Sequence, residues 1–274
     1  MRVYTPATLN EALELLAAAE RPLTPIAGGT DLLVAWHQQT KDGLALLDLS
    51  RLGAELQPLR LTGQHLELGA LTSFWDVMRL PEVSAAFPLL AQAASEVGAI
   101  QIQARGTWAG NIGNGSPAAD GVVALMAYDA RVVLGSIEGQ TEVPLDQYYT
   151  GYKQTVRQAN QLITAIRVPR RQRQHEWFHK VGARCAQAIS KVGVAIVKDD
   201  HGWRVVANSV APMVCRCHTL ESALDAGRTF ASPREIQSVL DADIAPIDDL
   251  RSTAKYRAAV LSRLLYYWLA ENHV

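Results

Sequence analysis

Cysteine is scarce in this sequence: Cys185, Cys215 and Cys217 are the three in 274 residues. An odd count argues against a disulfide framework, and three thiols fall short of the four that an ordinary iron–sulfur cluster takes. Cys215-Arg216-Cys217, with His218 beside it, is spaced too tightly for a zinc knuckle and has no second pair, so these read as ordinary thiols. Charge of one sign is also lacking. The formal net charge is -1 and the charges are interspersed, which leaves no electrostatic footprint for nucleic acid. No apolar run is long enough to span a bilayer. The opening Met1-Arg2-Val3-Tyr4-Thr5-Pro6 lacks the apolar core of a signal peptide, so a cytoplasmic setting is the expectation. His37, His65, His175, His201 and His218 show no metal-ligand or triad spacing. There is no P-loop, His-pair zinc motif or Ser-x-Gly elbow. No catalytic side chain and no metal ligand is therefore assigned, which suits a chain whose chemistry belongs to a cofactor.

What the sequence does have is an ordinary core composition, 49% hydrophobic, in a length that holds one large or two modest domains. Thr8-Leu9-Asn10-Glu11 reads as a capping box before a helix that ends near Pro22. Thr24-Pro25-Ile26 is extended, and a short helix follows from Leu32 to Trp36. Leu44 to Leu49, Leu66 to Ala70, Arg131 to Leu134 and Leu162 to Val168 are strand candidates; Thr72-Ser73 opens a helix, and Phe87 to Val97 and Val122 to Ala127 read as helices. Arg170-Arg171-Gln172-Arg173-Gln174 reads as a solvated linker or exposed turn. Beyond it, Glu176 to Val181, Ala188 to Val197 and Trp203 to Val210 form three successive strands, with a turn at 198–202. A capping box at Ser232-Pro233-Arg234-Glu235 and a long helix from Ala254 to Leu269 close the chain. Strands followed by helices in this way suggest a separate α+β domain.

Two small-residue stretches stand out. One is Ala27-Gly28-Gly29-Thr30-Asp31. The other runs from Thr107 through Gly110-Asn111 and Gly113-Asn114-Gly115 to Ser116-Pro117-Ala118-Ala119-Asp120. Small residues let a backbone approach a ligand closely. Ser116 as N-cap and Pro117 at the first helical position predict a helix N-terminus, which favours an anion. Two such loops could grip a pyrophosphate from both sides. Gly113 to Ala118 also fits the loose G-x-G-x-x-A pattern, but that pattern follows a buried apolar strand. Here Gln103-Ala104-Arg105-Gly106-Thr107 precedes it, so a Rossmann site is rejected.

In combination the stretches resemble the FAD-binding subunit of the molybdenum hydroxylases, the family of the xanthine dehydrogenase and carbon monoxide dehydrogenase flavoprotein subunits. Ala27-Gly28-Gly29-Thr30-Asp31-Leu32 matches A-G-G-T-x-L. Arg105 to Ile112, then Ser116-Pro117-Ala118-Ala119-Asp120, resembles R-G-T-I-G-G-N-I followed by S-P-x-x-D. Phe178 to Arg184, Val210-Ala211-Pro212 and Leu250 to Arg257 are similar to later landmarks, so the likeness covers nearly the whole chain. Trp108 and Ala109 stand where the family usually has Ile or Leu and then Gly. A methyl group at 109 disfavours positive φ and is expected to loosen flavin binding. Trp108 is expected to pack beneath the loop as core.

The resemblance implies an α+β fold: a two-lobed FAD-binding domain of the vanillyl-alcohol-oxidase-like type over 1–169 (lobes about 1–55 and 56–169), then a C-terminal domain of three antiparallel strands plus helices over 175–274. It implies one non-covalent FAD with its pyrophosphate on the two loops. The implied contacts are Pro25, Ile26, Ala27, Gly28, Gly29, Thr30, Asp31 and Leu32 from the first stretch, and Thr107, Ala109, Gly110 and Asn111 from the second. Asp120, Leu162 and Lys180 complete the set. For Asp120 a purely structural role in the first helical turn competes, and Lys180 is either a buried lysine near the cofactor or a surface one. The implied partners are a small subunit with two-iron two-sulfur clusters and a large molybdopterin subunit, in a dimer of heterotrimers. Electrons would pass from the clusters to FAD and on to NAD, oxygen or another acceptor. A self-contained FAD oxidoreductase and a non-catalytic assembly paralogue remain alternatives.

Overall fold

The computed structural model describes residues 2–38 and 44–274, with the side chains of 36–38, His37 among them, outside that description. Near the N-terminus three short strands pair in parallel, in the order Arg2–Tyr4, Ala45–Asp48, Thr24–Ile26. The helix Leu9–Ala18 follows the first of them. Its capping box is displaced: the Thr8 hydroxyl accepts from the Glu11 N–H, but the Glu11 carboxylate reaches Ala7 N rather than Thr8 N.

The next sheet is antiparallel, in the order Leu59–Leu61, His65–Gly69, Leu162–Pro169, Arg131–Ser136, Gly139–Pro144. Leu59–Leu61 spans only three residues and Gly139–Pro144 is exposed over its first four, so neither shows enough of the apolar alternation by which a strand is recognised. Helices Phe74–Met78, Pro81–Ala86, Pro88–Glu96, Ile100–Arg105, Trp108–Asn114 and Asp120–Ala127 lie between its second strand and Arg131. Two of these correct the sequence reading. The stretch taken as a glycine loop is a helix from Trp108 to Asn114, capped by Thr107, and Ala109 sits in its first turn, where positive φ is not required. The following helix starts at Asp120, not at Pro117: Ser116 Oγ accepts from Ala118 N and closes a turn instead.

The three expected C-terminal strands, His175–Val181, Val192–Asp199 and Gly202–Asn208, form an antiparallel sheet to which Cys215–Arg216 adds a short fourth. Successive side chains of a strand point to opposite faces. Val192, Val194 and Ile196 face one core with Leu261, Leu265 and Ile236 of the closing helices. Ala195 and Val197 face the other, with Val122 to Ala127. Burial on both faces explains why this strand reads as a continuous apolar run. Helix Asp120–Ala127 is buried along its whole length, as a helix apolar all round must be. Helix Pro233–Leu240 forms as expected, but Ser232 makes no capping bond. The last helix runs from Ala254 to Glu271, and no described helix is long and apolar enough to cross a membrane.

The basic run 170–174 is not simply solvated. The Arg173 guanidinium lies 4.8 Å from the Phe87 ring and 4.2 Å from the Tyr128 ring. It donates to Ala86 O and Pro169 O. Arg171 pairs with Asp129 at 2.6 Å. These arginines tie the segment to both sides of the chain. Their charge is spent on protein partners, which composition could not reveal.

Candidate functional site

Both singled-out stretches line one cleft of about 410 Å³. Its first wall is the turn between strand Thr24–Ile26 and helix Leu32–Gln38. The turn requires glycine twice. Gly29 holds φ +74, and a Cβ at Gly28 would come within 1.8 Å of the Arg105 carbonyl oxygen. That oxygen belongs to the second wall, so the two stretches meet backbone to backbone.

The second wall is fixed from behind. Phe74 N donates to Gly106 O, and Trp108 N to Thr72 O. Trp108 is fully buried, its ring centroid 4.7 Å from that of Phe74, and so packs beneath the wall as core. The Thr107 hydroxyl accepts from Gly110 N at 2.9 Å, which pins the first turn. A third wall comes from Lys153, Arg157, Leu162 and Ile163.

Thirteen of the residues named from sequence line this cleft: Pro25, Ile26, Ala27, Gly28, Gly29, Thr30, Asp31, Leu32, Thr107, Ala109, Gly110, Asn111 and Leu162. The other two do not. Asp120 and Lys180 form a buried ion pair at 2.7 Å, with side chains 8% and 4% exposed. Lys180 Nζ also donates to Glu96 O, next to the cleft residue Val97. Asp120 Oδ1 accepts from Ser190 Oγ and from Asn208 Nδ2. Pro117 O accepts from Ser209 N. The S-P-x-x-D stretch is thus a docking strip for the C-terminal sheet, and residues 115–120 do not line the cleft. The reading of Lys180 as a surface lysine is overturned. So is the reading of this helix N-terminus as the anion site: its acid faces Lys180.

Sequence reasoning missed Phe74, Val97, Ile102, Lys153 and Arg157 on the cleft walls. No local signal in the sequence tells that the hairpin Tyr149–Gly151/Gln154–Thr155 folds against the cleft. Among the described residues no cluster of three or more His, Cys, Asp or Glu is placed to hold a metal.

Residues 1–171 match the model of a family described as the FAD binding domain in molybdopterin dehydrogenase. The chain belongs to this family. It is 30% identical to the carbon monoxide dehydrogenase medium chain of Hydrogenophaga pseudoflava, over 96% of this chain and 93% of that one. It is 28% identical to a putative xanthine dehydrogenase FAD-binding subunit of Escherichia coli K12, over 95% and 92%. The solved carbon monoxide dehydrogenase of Hydrogenophaga pseudoflava superposes with a TM-score of 0.88 at 29% identity, covering 97% of this chain and 95% of that one. This is an FAD-binding medium subunit of the molybdenum hydroxylases, an oxidoreductase component. The cleft fits that cofactor: the Gly28-Gly29 turn and Gly110 line it with bare backbone, which lets a ligand approach closely.

Proposed function

We propose that this chain accepts electrons from iron–sulfur clusters of a small partner subunit and hands them to NAD, oxygen or another acceptor, while a large molybdopterin subunit oxidises the substrate. The observation that carries the reading is the single cleft built jointly by Gly28-Gly29 and Thr107–Asn111. The three cysteines also fall short of a cluster, so the electrons must come from outside the chain. FAD, when bound, supplies the change between single-electron and two-electron transfer.

The chain's own residues bind and orient. Backbone at Ala27, Gly28, Gly29, Thr30, Ala109 and Gly110 would hold the diphosphate, with Asn111 beside them on the same wall. Pro25, Ile26, Asp31, Leu32, Thr107 and Leu162 complete the walls. Asp120 and Lys180 hold the C-terminal sheet beside Val97. The same reading divides the chain at the basic run, with a cofactor region over 1–169, in lobes of about 1–55 and 56–169, and a C-terminal domain over 175–274. It is supported by the separate sheets on either side.

A tagged chain drawn from its native host tests this. It should bring an iron–sulfur subunit and a molybdopterin subunit with the mass of a dimer of heterotrimers, and release free FAD on acid denaturation. A chain that emerges alone, fully active on a small reductant, would establish the self-contained oxidoreductase instead.

A further inference from the structure

The two glycine stretches offer a diphosphate backbone and small side chains but no positive charge, and a diphosphate is doubly anionic. Backbone N–H groups alone leave much of that charge uncompensated in a cleft partly screened from water. Among the described residues lining the cleft, three side chains are charged: Asp31, Lys153 and Arg157. The single acid belongs to the first stretch. Both cations come from the third wall, which no motif marks.

Their placement is specific. Lys153 sits at the tip of the hairpin Tyr149–Gly151/Gln154–Thr155, with φ +53. A Cβ at Gly115 would come 3.1 Å from Lys153 Cα, so the tip rests on the end of the helix that carries Gly110 and Asn111. Arg157 is half-buried. Its NH1 donates to Gln158 O at 3.2 Å and Gln161 O at 2.7 Å, which anchors the guanidinium by one nitrogen. Both acceptors are neutral carbonyls, and among the described residues no carboxylate pairs with Arg157 or Lys153. The Lys153 charge also reaches across to the first stretch: partial desolvation raises the Asp31 carboxyl above the usual carboxylate range, and Lys153 draws it part of the way back.

We infer that Lys153 and Arg157 form the cationic wall of the cleft and neutralise the diphosphate of FAD, an assignment that rests on the cofactor reading above. Arginine suits this task because its fork can hold a carbonyl and a phosphate oxygen together. The hairpin tip is then a binding element, and the charge complement to the glycine stretches lies outside them.

The test is the affinity of the flavin-free full chain for FAD and for riboflavin, which lacks phosphate, read by flavin fluorescence. Lys153→Met and Arg157→Gln should each weaken FAD about tenfold and flatten its salt dependence. Riboflavin affinity should change by less than about twofold, since no charge-assisted bond is lost. Arg157→Lys keeps the charge but not the fork, so it should keep the wild-type salt dependence and lose less FAD affinity than Arg157→Gln. Equal losses for FAD and riboflavin would mean that the residues only shape the wall, and unchanged FAD affinity would mean that they do not meet the diphosphate. Either result overturns the assignment. Where riboflavin binds too weakly to read, an FAD salt dependence unchanged in the variants overturns it too. Wild-type protein that binds neither flavin would instead remove the cofactor reading on which the assignment stands.

Discussion

Gly28 lies directly against the Arg105 carbonyl, with no room for a Cβ between them. Two stretches that look like halves of a ligand site are therefore first of all a packing contact. Their glycines divide into those that let the walls meet and those that face the cleft.

This division predicts two different phenotypes. Gly28→Ala puts a methyl group 1.8 Å from a backbone oxygen, and neither chain segment can yield cheaply. It should lower stability by about 3 kcal/mol or prevent folding, and take FAD binding with it. Gly110→Ala meets only the Thr107 hydroxyl, at 2.9 Å, and displacing it costs at most the cap bond to the residue 110 N–H, about 1 kcal/mol, which the better helix propensity of alanine offsets. It should keep the wild-type melting temperature of the flavin-free protein within a few degrees while FAD affinity falls. Urea titration beside flavin binding separates the two. Equal stabilities for both variants would show that the Gly28–Arg105 approach is not needed for folding.

The ion pair of Asp120 and Lys180 supports a second prediction. Removing one partner of a buried pair leaves an uncompensated charge, so Lys180→Met should cost about 3 kcal/mol. Asp120 would keep only Ser190 and Asn208 as donors. Lys180→Met with Asp120→Asn should recover part of the loss, since no buried charge then remains. A double variant less stable than the sum of the singles would contradict this account.

Much of the architecture was legible because its periodicities are strong. The strands Val192–Asp199 and Gly202–Asn208 and the closing helix carry patterns set by burial. The stretch Trp108–Asn114 misled because Gly and Asn are weak helix formers, and here Thr107 capping and Trp108 burial override propensity. Strands Leu59–Leu61 and Gly139–Pro144 were invisible because edge strands bury little. Small residues in a fixed order marked the two stretches as places of close backbone approach, and the family resemblance carried by those stretches supplied the thirteen cleft residues. Lys153 and Arg157 could not be named, because a cation on a hairpin looks like any solvated one until the chain folds.

Arg173 carries the third prediction. Its side chain is 6% exposed, stacked on Phe87 and Tyr128, and bonded to two carbonyls. Arg173→Ala should cost about 2 to 4 kcal/mol through lost cation–π contact and two unpaired carbonyls. Arg170 is exposed and donates to Thr62 O, so Arg170→Ala should cost less than about 0.5 kcal/mol. Similar small losses for both arginines would restore the picture of a solvated linker.

Acid stability provides the last prediction, through Asp199. Burial by itself would push this carboxyl up. The Arg204 hydrogen bond, the His201 N–H at 2.8 Å, and the charges of Arg204 and Arg171 outweigh burial and hold it below the usual value. A carboxyl depressed in the folded state binds its proton more readily when unfolded. Its contribution is therefore complete above the unfolded value of about 3.9 and is lost as pH falls through the folded one. Wild-type stability in urea should fall as pH drops from about 5 towards 2. Asp199→Asn cannot titrate. It should be less stable at neutral pH, because Arg204 loses its charged partner, but its stability should fall less steeply over the same range. Parallel slopes for the two proteins would place the acid sensitivity on other carboxylates.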